Sequence, residues 1–367
     1  MNAGIKPKDG SDWSNFYTVE GFRNRGLEVV NMLSEYVAVS QARTRSHVLN
    51  SEAPLDRLNY WKSRIKSELK AVDGTLFSED FLTELLQRSN HLHDPRYAGH
   101  QVAVPLPELA WLQAATALLN NGMAIDEMGP ASSPMEEAVM QSVAQFMGFG
   151  EEAGGILTHG GTLANLTALL AARQRKSEGN PWRDGATRPC ALLVSEQAHY
   201  CVDRAARVMG WGAEGIIQVP TDSAHRIIQS ELVAAHEAAV SKGLEVIAVV
   251  GNACPTSTGT FDDLVMLADF AEAQDLWFHV DGAHGAGQVF SEKHRGVLKG
   301  MERADSVAMD FHKMLGIPAL CTGLFYRKGS DAYSAFNQEA HYLYESEDEE
   351  WWNLSKRTFK CTKRMLS

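Results

Sequence analysis

The sequence has no stretch of about 18 apolar residues, the length a helix needs to cross a bilayer. Its opening residues, MNAGIKPKDGSDW, hold no apolar core of the kind a secretory signal requires. Cysteine is sparse. Cys190, Cys201, Cys254, Cys321 and Cys361 are odd in number, far apart and without metal-ligand spacing. That argues against a disulfide framework and against a bound metal, and suits free thiols in a reducing cytoplasm. Basic charge is also in deficit. Lys and Arg number 34 against 46 Asp and Glu, a net charge of −12, and no basic run reverses it locally. No nucleic-acid partner is expected of such a chain, and no membrane. What remains is 367 residues of ordinary globular composition, 44% hydrophobic and 22% charged. That is enough for one large α/β domain with appendages.

The pattern changes along the chain. Residues 1–90 read as an amphipathic helical segment: GFRNRGLEVVNMLSEYVAVSQ and LNYWKSRIKSELKAV both repeat apolar residues at helical spacing. Such helices clasp a partner subunit or cap a core. From about residue 150, short apolar runs alternate with helix-length amphipathic stretches such as 227–242 and 262–274. CALLVS (190–195), VIAVVGNA (246–253), WFHVDGAH (277–284), SVAMD and CTGLFYR are the strand-like runs. Strands apolar on both faces and separated by helices imply a mostly parallel sheet covered on both sides. Ligands of such sheets bind beyond the carboxyl ends of the strands, and the residues there are polar and unusual.

In SVAMDFHKML (306–315) an apolar run ends at Asp310, and His312 and Lys313 follow before apolar residues resume. A lysine enclosed by apolar neighbours is costly unless it is paired or covalently bonded. ILTHGGTLANLTALLAAR (156–173) carries Gly160, Gly161 and Thr162 into a good helix. This is a phosphate cradle made of close backbone and free helical N–H groups, or a plain turn with Thr162 as the cap. In WFHVDGAHGAG, Asp281 ends a strand beside the small residues Gly282 and Ala283. It either faces a protonated aromatic nitrogen, with room for a flat ring, or caps the following loop. His199, in VSEQAHYCVDRAARV, either lies against the other face of that ring or caps helix 199–209.

Together, a phosphate cradle, an aromatic platform, a strand-end Asp and a His-Lys pair are the requirements of pyridoxal 5′-phosphate. Residues 90–365 resemble the group II pyridoxal-phosphate decarboxylases, the family of glutamate, cysteine sulfinate, diaminobutyrate and aromatic amino-acid decarboxylases. The stretches that carry the resemblance are DPRYAGHQ (94–101), ASSPMEEAVMQ (131–141), GGTLANL (160–166), QAHYCVDRA (197–205), TGTFDDL (258–264), HVDGAHG (279–285) and ADSVAMDFHK (304–313). The resemblance implies fold type I, with a mostly parallel seven-stranded sheet flanked by helices. It implies a helical clasp over 1–90, a large cofactor-binding domain over 91–350 and, over 351–367, the start of a connection to a small C-terminal domain. In the family that domain runs for roughly a hundred residues. Here it is expected to be absent, since the chain stops at TFKCTKRMLS.

Carried over position by position, the resemblance implies that Lys313 bonds the cofactor. Asp281 pairs with the ring nitrogen, Ala283 packs on one ring face, and His199 stacks on the other and serves proton transfer. Gly160, Gly161, Thr162 and Asp310 surround the phosphate, His312 is a donor beside Asp310 that contacts the phosphate or the substrate carboxylate, and Thr256 meets the O3′ side. His100 and Gln101 line the substrate mouth, and DEMGPASSP reaches it from the other subunit of a homodimer. ESEDEEWWNLSKRTF (345–359) takes the place of a mobile loop on which relatives carry a proton-donating tyrosine; no tyrosine follows Tyr344 here. The implied activity is decarboxylation of an L-amino acid to an amine and carbon dioxide. The alternatives are another lyase or transaminase outcome on the same scaffold, or a cofactor-binding dimer without turnover.

Overall fold

The computed structural model describes residues 18–68, 79–336 and 351–364. The chain divides into two compact units, Met1–His100 and Gln101–Ser367. The first holds helices α1 (Val19–Gln41), α2 (Pro54–Glu68) and α3 (Glu79–Arg88). Helix α1 starts where its pattern starts, because the Thr18 hydroxyl accepts from the Gly21 N–H at 3.0 Å and satisfies one free donor of the first turn. Helix α2 begins on Pro54, whose missing N–H costs nothing there.

The second unit opens with α4 (Leu109–Leu119) and α5 (Ser132–Phe146) and then builds a seven-stranded sheet. Its strands are β1 (Gly154–Thr158), β2 (Cys190–Ser195), β3 (Ile216–Val219), β4 (Glu245–Asn252), β5 (Trp277–Asp281), β6 (Ser306–Asp310) and β7 (Thr322–Tyr326), in spatial order β1-β7-β6-β5-β4-β2-β3. Strand β7 runs antiparallel to both its neighbours, and the β6-β5-β4-β2-β3 pairings are parallel. The connecting helices are α6 (Gly161–Lys176), α7 (Pro181–Asp184), α8 (Tyr200–Val208), α9 (Gln229–Ser241), α10 (Leu264–Ala273) and the single turn α11 (Phe311–Met314).

Alternate residues of each strand feed opposite cores, which is why the central strands read as continuous apolar runs. Phe278 and Val280 of β5 pack with Leu232 of α9 and Leu264 and Leu267 of α10. Trp277, on the other face, packs with Ala164 and Ala168 of α6 and Val202 and Ala206 of α8. The mostly parallel sheet is the one expected, with helices on both faces. The periodicity placed α9 and α10 within two residues of their observed ends. It did not single out β3, an edge strand of four residues only partly buried. No described helix is long and apolar enough to cross a membrane.

Residues 351–364 return to the sheet. Lys363 is buried in an ion pair with Glu136 of α5, and its Nζ also donates to the Leu157 carbonyl at 2.6 Å. Burial pushes the Lys363 amine below its usual value, with Glu136 pulling the other way. Tyr344 and the acidic run 345–350 lie outside the described residues.

Asp262 fixes the carboxyl end of β4. Buried just before α10, it accepts from the Asn252 N–H at 2.8 Å and the Ile227 N–H at 3.0 Å. Burial raises its carboxyl above the ordinary range. Removing the side chain leaves both N–H groups unpaired, so Asp262→Ala is expected to cost about 2–4 kcal/mol. Urea unfolding measures this, and a loss below about 0.5 kcal/mol contradicts the assignment.

Candidate active site

Four strand ends in the second unit converge on one cavity of about 430 Å³. Strand β1 runs through His159 into Gly160, whose φ of +97° is open to glycine and strained for other residues. Helix α6 begins there without a side-chain cap, so its first N–H groups lack side-chain partners. Thr162 is therefore in the first turn, and Gly160 holds the cap position that the sequence left open to Thr162. A Cβ on Gly161 would lie 3.2 Å from Asp310 Oδ1 and 3.4 Å from Ala283 Cβ, which sets the helix N-terminus against the ends of β6 and β5.

Strand β6 ends at Asp310, which is 3% exposed, and α11 brings Lys313 back over it with Nζ 3.2 Å from Asp310 Oδ2. The Thr322 hydroxyl of β7 donates a short hydrogen bond to Asp310 Oδ1. His312 Nε2 is 3.8 Å from Asp310 Oδ2, and its Nδ1 lies 2.9 Å from the Cys321 carbonyl oxygen. Lys313 is less enclosed than the sequence suggests. Its side chain is 23% exposed, because α11 is one turn long and its end opens on the cavity.

Asp281 ends β5 and accepts from the Ala283 N–H at 3.2 Å, the loop-capping bond that was one of its two expected readings. The carboxylate also lines the cavity. His199 likewise fills its capping reading and lines the cavity. It is the cap of α8, with Nδ1 accepting from the Cys201 N–H at 3.3 Å, and its ring lies on the cavity wall. Burial pulls His199 below the usual imidazole range; Asp281 opposes this, while Lys313 and Arg204 add to it.

The cavity brings together Gly160, Gly161, Thr162, His199, Thr256, Asp281, Ala283, Asp310, His312 and Lys313. Gln101 is not on its wall, although Gln101 Nε2 approaches the Thr256 carbonyl at 3.5 Å. His100 belongs to the first unit, where its Nδ1 is 3.4 Å from the Tyr97 hydroxyl. The wall also includes Asn165, Cys201, Asn252, Cys254 and His284, which the sequence reading did not assign. Asn252 was within reach of the strand-end rule, since it ends β4. Asn165 carries no such signal, because it looks like any polar residue one turn into a helix. Burial raises the Cys201 thiol to about 12, so it stays protonated at neutral pH. Among the described residues, no group of three or more His, Cys, Asp or Glu side chains could hold a metal ion.

Two polar atoms on residues of this wall, Asn252 Nδ2 and His284 Nδ1, are buried without a hydrogen-bond partner. Polar groups in that state need a partner, which a ligand or an ordered water in the cavity would supply. An uncapped helix N-terminus, a strand-end carboxylate and a lysine amine around one cavity fit a phosphorylated pyridine aldehyde.

The description "Pyridoxal-dependent decarboxylase conserved domain" matches residues 78–366. The chain belongs to this family. It is 33% identical over 249 residues to the L-aspartate decarboxylase dtxS4 of Metarhizium robertsii, covering 67% of this chain and 50% of that protein. It is 34% identical over 277 residues to an L-2,4-diaminobutyrate decarboxylase of Rhizobium meliloti, covering 75% of this chain and 52% of that one. The chain thus spans about half the length of these relatives. The crystal structure of mouse CSAD shares the fold, with a TM-score of 0.78 at 23% identity over 92% of this chain and 72% of that one. Pyridoxal 5′-phosphate is the cofactor of this decarboxylase-family chain, and the residues present fit it.

The His199 environment gives a measurable consequence. Its imidazole is expected to titrate below 6.5 in the cofactor-free protein, so the ring is neutral at pH 7. Histidine-selective NMR against a His199→Asn reference measures the midpoint, and a value at or above 6.5 contradicts the assignment.

Proposed function

We propose that this chain carries the site of a pyridoxal-phosphate-dependent carboxy-lyase, which converts an L-amino acid to an amine and carbon dioxide. The supporting observation is the grouping of Lys313, Asp281, His199 and the α6 N-terminus around one cavity. When bound, the cofactor supplies an electron-withdrawing ring that stabilises the carbanion left by carbon dioxide. The chain's own groups do the rest. Lys313 Nζ would bond the cofactor's aldehyde, and as a free amine beside Asp310 it would be able to carry a proton. Asp281 places a negative charge at the end of β5, where a protonated ring nitrogen is stabilised. His199, half-buried on the cavity wall, would cover one ring face with Nε2 available to move a proton, while Ala283 would pack on the other. The first N–H groups of α6, the Thr162 hydroxyl and His312 bind the phosphate. Asp310 stays compatible with that dianion because the Thr322 hydroxyl donates to one of its oxygens and His312 Nε2 lies 3.8 Å from the other.

The relatives named for aspartate and 2,4-diaminobutyrate support an amino-acid substrate with a short polar side chain. A cytoplasmic location is supported by the five cysteines, none of which is paired. The working form is a homodimer whose interface borders the site. Support comes from α4, an uncharged helix that leaves Leu118 70% and Leu119 67% exposed, and from Met135, Val139 and Phe146 exposed on α5. Such a surface suits an obligate interface larger than about 2,000 Å².

Carbon dioxide release over a panel of amino acids tests the activity. Release from at least one of them is expected, and Asp281→Asn should lower turnover by about a thousandfold while keeping the side-chain shape. Amine transfer without carbon dioxide supports a transaminase, and cofactor binding without turnover of any amino acid supports a non-catalytic dimer. Near-normal turnover in Asp281→Asn contradicts the charge role. For the dimer, sedimentation of the Leu118→Glu/Leu119→Glu variant is expected to show a monomer; an unchanged dimer removes α4 from the interface.

A further inference from the structure

One buried polar chain runs beneath the cavity. Trp277, His279 and Asp281 alternate along β5, so all three project from one face, with His279 one rung below the carboxylate. His279 is fully buried. The Trp277 indole N–H donates to Ser306 Oγ at 2.9 Å. An indole only donates, so Ser306 Oγ accepts there and keeps its own proton to give. His279 Nδ1 lies 2.8 Å from that oxygen and farther, 3.2 Å, from the Ser306 carbonyl oxygen. Asn165 Oδ1 can only accept, so Nε2 donates to it at 2.7 Å, and a neutral ring then takes the Ser306 hydroxyl proton at Nδ1. The Asn165 amide nitrogen then faces Cys201 Sγ at 3.2 Å, with Asn165 on the cavity wall.

We propose that His279 is a positioning residue of the site. Held as a neutral imidazole between Ser306 and Asn165, it fixes the Asn165 amide on the cavity wall. It also leaves the Asp281 carboxylate without a cation beneath it, so that its charge is kept for a cationic ring in the cavity. Burial supports the neutral form, pushing His279 down to about 4 against the pull of Asp281. An imidazolium at this rung would compete for Asp281 from inside the sheet. A mere core histidine would need only satisfied nitrogens. This chain does more, because it links Trp277 and Ser306 through the ring to Asn165 on the cavity wall. The inference rests on the reading of Asp281 as the partner of the cofactor's ring nitrogen.

The test separates positioning from stability. Cofactor-free wild-type, His279→Phe and His279→Gln proteins are melted and then titrated with pyridoxal 5′-phosphate, following the bound-cofactor absorption. His279→Phe keeps the volume and removes the chain, so affinity is expected to fall on the order of tenfold, with a shifted band. His279→Gln can still bond Ser306 and Asn165 and is expected to restore the wild-type band and affinity to within about threefold. If both variants bind as wild type and differ only in melting temperature, His279 is core packing and the proposal fails. Should His279→Phe not fold, Asn165→Ala takes its place, with the same loss expected and unchanged affinity overturning the proposal. Failure of the wild-type protein itself to bind the cofactor overturns the underlying site assignment instead.

Discussion

Asp281 and Asp310 end neighbouring parallel strands, each less than one-tenth exposed, and the site is organised around keeping those two charges buried. A buried carboxylate needs donors or a cation. Asp310 has both, in the Thr322 hydroxyl of β7 and the Lys313 ammonium one turn along α11. Asp281 has one loop N–H, from Ala283. The asymmetry sets the chemistry: Asp310 is satisfied by the protein, and Asp281 faces a cavity that can admit a cation.

The fold delivers this arrangement by simple means. Parallel strands point their carboxyl ends the same way, so the residues that follow β2, β4, β5 and β6 meet at one edge of the sheet. The antiparallel β7 then supplies Thr322 and the Cys321 carbonyl from the opposite direction, beside Asp310 and His312. Glycine at 160 and 161 lets α6 start against Asp310 and Ala283, where a side chain at 161 would crowd both. Asp262 ties the end of β4 in place, and with it the cavity residue Asn252.

Much of this was legible before any coordinates. CALLVS and SVAMD coincide with β2 and β6, and the polar residues after the apolar runs marked Asp281, Asp310 and Lys313. These signals are local, and period and punctuation report them well. What stayed hidden depends on partners distant in sequence. Nothing in SVAMDFHK says that Thr322 will bond Asp310, since that pairing comes from the β6–β7 register. Nothing in GGTLANL says that Asn165 meets His279, which is 114 residues away. Lys313 read as enclosed because its neighbours are apolar, but the shortness of α11 opens it to the cavity. For His199 and Asp281 the capping reading holds and leaves the other open, because a side chain can cap a backbone and still present a face to a cavity.

The central claim is that Lys313 is the residue this site offers to its cofactor, and covalent mapping tests it most directly. The protein saturated with pyridoxal 5′-phosphate is reduced with borohydride, digested, and the modified peptide sequenced by mass spectrometry. The account predicts a single stoichiometric label on Lys313, lost in Lys313→Ala. A label fixed on a different lysine, or none in protein that otherwise binds the cofactor, contradicts it.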